Sequence, residues 1–206
     1  MTAFVSKWAS KALEGLLGSQ GRSAKQSRCT ACATAEAADS PMYRCFHSQT
    51  PAVLCKQCIL KAHKSNPWHF VEEWDTIRRF WKRMPLTALG VTIDMGHQGA
   101  RCQHARAEAR TMTIVSDNGI HEVDMHFCWC PDPVTGAYTP EATQLLLHGY
   151  WPSTWERPTT AFTTQVMREF THLANQATVT AYDYFEILRR KTDSIATHTV
   201  TVRVIL

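Results

Sequence analysis

The chain has 206 residues, 44% of them hydrophobic and 19% charged, with a formal charge of +4. That length allows one or two compact domains, and no run of about 18 apolar residues exists to cross a membrane as a helix. The first twenty residues lack the apolar core of a secretory signal, so the eight cysteines are expected in an intracellular, reducing compartment, where clustered cysteines serve more often as metal ligands than as disulfides.

In chain order, residues 4–17 set Phe4, Trp8, Ala12 and Leu16 at helical spacing, with Val5, Leu13 and Leu17 nearby, and Gly18 and Gly21 end the pattern. A helix docked on the adjoining cysteine-rich module is the favoured reading; a mitochondrial presequence is the competing one, since Lys7 and Lys11 precede the first acid, Glu14. Residues 1–28 are thus a helix plus basic linker, and 29–75 the cysteine-rich module. Residues 76–83 form a short basic stretch that Pro85 separates from the next segment.

Residues 89–95 alternate like a strand. Residues 111–130 predict a hairpin, with Asp-Asn-Gly-Ile as its turn, because both positions of an Asn-Gly turn need positive φ. Beyond Pro131 and Pro133 the pattern becomes helical. A short helix is expected over 141–148, a second over 159–175 with Phe162, Val166, Phe170 and Leu173 on one face, and a third over 180–191 with Tyr184, Phe185 and Leu188 inward. The stretch 197–206 turns β-prone without an evident partner.

The chemistry lies in Cys29-x2-Cys32-x12-Cys45-x9-Cys55-x2-Cys58-x4-His63-x5-His69. A C-x-x-C knuckle lets two thiolates chelate one ion from a tight turn, and tetrahedral Zn²⁺ takes four such ligands. Seven ligands exceed one site and nearly fill two. A cross-brace assigns Cys29, Cys32, Cys55 and Cys58 to the first ion, and Cys45, His63 and His69 to the second. His47 is the candidate for the missing eighth ligand, because Ser48 occupies the commoner position and is a poor donor.

A third ion is expected at His97, Cys102, Cys128 and Cys130. If Cys128 and Cys130 lie in a strand they share one face, which His126 also shares, while His121 lies on the opposite face unless a bulge intervenes; His126, or His121 with such a bulge, stands as an alternative to His97. On this reading, with His47 completing the second, the sites are expected to be closed. With no H-E-x-x-H helix and no evident three-ligand site beside a base, they hold folds and do not activate water. Asp117, Glu122, Asp124 and Asp132 cluster near the hairpin, but turn and strand-surface carboxylates are usually solvated, so no catalytic role is expected.

Charge is uneven. Residues 1–83 carry 13 Lys+Arg against 6 Asp+Glu, and residues 84–206 carry 9 against 12. A basic, metal-held half is compatible with a nucleic-acid face. The tryptophans at 68, 74 and 81 offer the competing role of a protein-contact patch, and the first seven ligands, in cross-brace order, resemble the B-box family of assembly modules.

Motifs recur in order along most of the chain: YRC (43–45), LCKQC (54–58), WHFVEEW (68–74), LTALG (86–90), GH (96–97), VSDNGIHEV with FCWC, YWPSTWERPTTAFT (150–163) and TAYDYFEILRRKTD (180–193). Together they resemble the CxC-like cysteine cluster associated with KDZ transposases of basidiomycete fungi. The resemblance runs from about Trp8 to Asp193 and implies a zinc-chelating accessory region beside a DDE-type transposase, nuclear, with a role in binding DNA or chromatin; residues 86–193 are read as the cysteine-cluster region with the hairpin and C-terminal helices. Carried over by position, its ligands are Cys29, Cys32, Cys45, Cys55, Cys58, His63, His69, His97, Cys102, Cys128 and Cys130.

Two departures stand out. Ser48 replaces the second cysteine of a YRC-x-x-C pattern, and nothing after Asp193 resembles a transposase, so 194–206 is read as an atypical tail of a truncated element. The expected architecture is α+β: a small zinc-stabilised cross-brace, B-box-like module, then a hairpin-containing zinc-bound segment and a C-terminal helical region. No membrane and no small-molecule substrate are expected; DNA or chromatin is the expected partner, with a protein partner or self-association as the alternative.

Overall fold

The computed structural model describes residues 8–22, 27–36, 41–45, 47–48 and 52–200. The apolar positions Phe4 and Val5 and the last six residues of the tail lie outside them. The chain is mixed α+β and divides into two compact units, residues 1–89 and 90–206.

In the first unit, helix α1 (Ala9–Gln20) is followed by strands β1 (Met42–Arg44) and β2 (Leu54–Cys55), helix α2 (Lys56–Ala62), and strands β3 (Phe70–Asp75) and β4 (Phe80–Pro85), with a 3-10 turn at Leu86–Leu89. The four strands form one antiparallel sheet in the order β2-β1-β3-β4. The basic stretch 76–83 is therefore the turn and outer strand of a hairpin. Asp75 closes that turn by accepting the Ile77 and Arg78 amides on Oδ1, and Arg79 takes a positive φ of 57°.

Trp74 and Trp81 face each other in register, ring centroids 5.0 Å apart, so two of the three tryptophans are committed to packing. Met42, Ile59, Val71 and Leu86 are fully buried. With strands of two and three residues and few buried apolar side chains, this unit needs support beyond its core.

Helix α1 extends past Gly18 to Gln20 and buries no residue. Trp8, Leu13, Leu16 and Leu17 are exposed, so among the described residues this apolar stripe is not buried as expected. The helix is held instead at its C-terminal end. There Arg44, itself buried, donates to the Ser19 carbonyl at 2.7 Å, pairs with Glu72 at 2.7 Å and lies 4.3 Å from the Trp81 ring centroid.

The second unit contains β5 (Thr92–Asp94), a 3-10 turn at His97–Gly99, β6 (Arg110–Ser116), β7 (Gly119–His126), α3 (Glu141–Leu147), β8 (Tyr150–Pro152), β9 (Thr160–Thr163), α4 (Thr164–Ala177) and α5 (Ala181–Thr192). Its sheet runs β5-β7-β6-β9-β8, with β5 parallel to β7 and β6 parallel to β9. The hairpin falls where the sequence puts it, but its turn is Asp117–Asn118 and the positive φ, 146°, belongs to Gly119 at the start of β7.

Directly opposed pairs share a face. Met112 with Val123 and Ile114 with His121 make one buried face; Val115 and Ile120 on the other pack against Val166, Tyr184 and Leu188 of the helices. Phe162 joins that cluster from strand β9 and not from a helix, because Thr163 caps α4 by accepting the Val166 amide and so fixes the helix start after it. Thr180 caps α5 in the same way through the Asp183 amide. The end of α5 clamps the hairpin: Thr192 Oγ1 accepts the Ile120 amide at 2.8 Å, and Lys191 donates to the Asp117 carbonyl at 2.7 Å.

Candidate metal centres

Three groups of Cys and His bring their ligand atoms within 4.8 Å of one another: Cys29, Cys32, Cys55 and Cys58; Cys45, His63 and His69; and His97, Cys102, Cys128 and Cys130. All eight cysteines are free thiols. Zinc–sulfur bonds of about 2.3 Å and zinc–nitrogen bonds of about 2.05 Å at tetrahedral angles place S···S neighbours about 3.8 Å apart and S···N neighbours about 3.6 Å apart. The chain gives 3.6 Å for Cys32–Cys55 and 3.5 Å for Cys102–Cys130. It gives 3.6 Å for Cys45–His69, and 3.7 and 3.5 Å from Cys128 and Cys130 to His97 Nε2. These spacings are far beyond a disulfide bond of about 2.05 Å and fit four donors around one cation.

In the first group the knuckle at 29–34 is closed by the Cys29 amide on the Thr34 carbonyl and the Ala33 amide on the Cys29 carbonyl, with Ala33 at a φ of 59°. The second knuckle is the β2–α2 junction, with Cys55 as the residue before the helix and Cys58 in its first turn. The Thr30 amide bonds the Val53 carbonyl at 2.9 Å and draws the two together.

Burial raises the Cys29 thiol, but backbone contacts from Cys55, Cys32 and Ala31 outweigh it and bring it down to about 6. Cys58 is pushed up to about 12, chiefly by its thiol contacts with Cys55 and Cys32. Thiols at contact distance shifted in opposite directions are what such a cluster shows without a cation. A divalent ion removes that conflict.

The second group interleaves with the first along the chain. Cys45 follows β1, His63 ends α2, and His69 precedes β3. His63 Nδ1 donates to the Ile59 carbonyl at 2.9 Å, which leaves the Nε2 lone pair for a metal. Its Nε2 lies 3.4 Å from Ser48 Oγ. His47 is not in the group; its ring lies tilted against His69, centroids 5.1 Å apart.

The third group forms where strand pairing runs out. Strand β7 ends at His126, so Cys128 and Cys130 are not strand residues and the face argument from strand periodicity does not apply to them. Beyond the strand, the Met95 amide bonds the His126 carbonyl at 2.8 Å, and this carries Gly96 and His97 alongside Cys128. A Cβ on Gly96 would sit 3.1 Å from Cys128 Cβ and 3.4 Å from Cys102 Cβ. That is why the GH pair begins with glycine.

His97 takes a positive φ of 47° to aim its ring. The Cys102 thiol, raised by burial, is brought down overall to about 6 by the Trp129 backbone, then the His97 ring and the His104 backbone; Cys130 is pushed up to about 12, first by Cys102.

Neither proposed alternative to His97 joins this group. His126 Nδ1 lies 3.3 Å from Asp94 Oδ1, and buried His121 lies 3.1 Å from Asn118 Oδ1. The carboxylates near the hairpin are also engaged locally. Asp124 accepts from Thr111, and Asp132 accepts the Val134 and Thr135 amides.

Two further residues border this group. His104 Nδ1 stands 3.4 Å from Cys130 Sγ at the edge of the group. Buried Gln144 of α3 grips the Cys128 backbone and the Thr139 carbonyl. A glutamine far along the chain from any ligand carries no sequence signal beyond being polar on a buried helix face.

A protein-family profile described as a CxC2-like cysteine cluster associated with KDZ transposases matches residues 86–196. The chain belongs to this family. The third group lies inside the matched segment and the first two precede it. No curated protein and no solved structure matches the chain. Among the described residues no helix is long and apolar enough to cross a membrane.

Proposed function

We propose that this chain is a non-catalytic, zinc-held accessory module of a KDZ-type transposase and that it binds DNA. The observation that carries the zinc reading is the convergence of Cys and His donors within 4.8 Å of one another in three groups, with donor pairs of 3.5–3.6 Å, close to what a tetrahedral zinc ion sets. Cysteine-rich donor sets with histidine suit Zn²⁺ above harder cations. Bound zinc supplies folding energy, about 10–16 kcal/mol per structural ion. The first group, with four cysteines, and the third, with three cysteines and a histidine, fill the coordination sphere and leave no position for substrate.

DNA binding is supported by the basic first unit. Arg22 and Arg44 are consumed by Glu36 and Glu72, but Lys56, Lys61 and Lys64 on and after α2, and Arg78, Arg79 and Lys82 on the hairpin, are exposed. Phosphate contacts by such side chains make binding steeply salt-dependent. A gel-shift series from low to physiological salt, on transposon ends and on random duplex, tests this; the absence of any shift at low salt refutes it.

The second reading is a protein-interaction or self-assembly module. The interleaved first two groups follow the order of B-box ligands, and α1 presents Trp8, Leu13, Leu16 and Leu17 to solvent. Self-association in sedimentation that is insensitive to salt favours it over DNA binding.

A further inference from the structure

The three groups differ in a way that the zinc reading, on which this inference rests, does not by itself explain. Two supply four protein donors. The group of Cys45, His63 and His69 supplies three, and among the described residues no further Cys, His, Asp or Glu joins it. The position where a fourth ligand belongs is taken by Ser48, whose hydroxyl lies 3.4 Å from His63 Nε2.

A cavity of about 220 Å³ opens on this point, with Cys45, Ser48 and His63 on its polar side and Leu54, Ile59 and Ala62 among its apolar residues. Cys45 and His63 are themselves buried, 3% and 5% exposed. The space exceeds the ~30 Å³ that one water occupies.

Charge separates the centres further. A divalent ion with four thiolates is left with an excess of negative charge, and one with three thiolates and an imidazole is also anionic. With a single thiolate and two neutral imidazoles the centre keeps one net positive charge, inside a partly apolar cavity where that charge is poorly screened.

We propose that the Cys45–His63–His69 centre is coordinatively open, and that its fourth position takes a small monodentate anion, which Ser48 steadies by a hydrogen bond. Water occupies the position when no anion is present. The two other centres, closed and anionic, do not bind anions.

The test uses the full chain loaded with Co²⁺ and titrated with azide. Wild type is expected to bind three cobalt ions and to show a saturable change in the cobalt visible bands. Ser48→Cys supplies a fourth ligand as thiolate: the thiolate-to-cobalt absorption should grow and the azide response disappear. Ser48→Ala should weaken azide binding about tenfold or more, the worth of one hydrogen bond to a charged acceptor. His47→Ala should leave the response intact.

Three bound cobalt ions without any azide response overturn the proposal and leave the three-centre reading standing, as does a response undiminished in Ser48→Cys. Two cobalt ions per chain, unaffected by Cys45→Ala, remove the second centre and the proposal together.

Discussion

Gln144 and Cys128 hold each other by a paired contact: the Cys128 amide donates to Gln144 Oε1 at 2.8 Å, and Gln144 Nε2 donates to the Cys128 carbonyl at 2.9 Å. Gln144 is 4% exposed, so helix α3 fixes the backbone of a cysteine whose own strand has already ended. Groups that orient metal ligands in this way typically contribute 10–100-fold to metal affinity. Gln144→Leu should therefore weaken the third centre by about that factor in a chelator competition and leave the first centre unchanged. Equal loss at both centres would mean that the substitution acts by unfolding the chain.

Gly96 tests the same centre from the other side. Its φ of −118° suits any residue, so a Gly96→Ala defect must come from crowding against Cys128 and Cys102. The neighbours here are ligand Cβ atoms, which cannot yield without moving their sulfurs. The expected result is a loss of about 1–3 kcal/mol, the usual cost of overpacking, seen in denaturant unfolding of the metal-loaded chain. With the metal removed, the difference from wild type should shrink.

Arg44 is the corresponding joint in the first unit. Arg44→Ala removes a pair with Glu72, a contact over Trp81 and the tether of α1 through Ser19. Breaking a buried pair costs about 3–5 kcal/mol; Glu72 is partly exposed, so about 2 kcal/mol is expected here. Hydrogen exchange should show α1 losing protection first. Unchanged protection in α1 would show that the helix is held by something other than Arg44.

Much of this arrangement is legible in the sequence, and the remainder is hidden for identifiable physical causes. The two knuckles, the hairpin at 111–126 and the helix with Tyr184 and Leu188 inward are local features, set by spacing, turn chemistry and periodicity. The strands at 42–44, 54–55, 150–152 and 160–163 are too short to show alternation; their pairing is set by distant partners. Phe162 mimics a helix position because Thr163 begins a helix one residue later. Cys128 and Cys130 sit two apart like strand residues, yet the ladder stops at His126 and the GH turn takes over. The apolar stripe of α1 is real, but periodicity cannot say whether a partner surface exists within the chain.

Metal removal should separate the two units. The first depends on short strands around two centres, whereas the second keeps a five-stranded sheet with its own buried residues. After chelation, hydrogen exchange is expected to report loss of protection over residues 29–75, while β6 and β7 remain protected. Uniform loss over both would show that the third centre also carries the second sheet.

The most direct measurement is native mass spectrometry of the chain purified with zinc and without chelating reductants. Three zinc ions per chain are predicted, falling to two in Cys45→Ala and to two in Cys128→Ser. A native chain that carries no zinc, with its cysteines found in disulfides, would contradict the account.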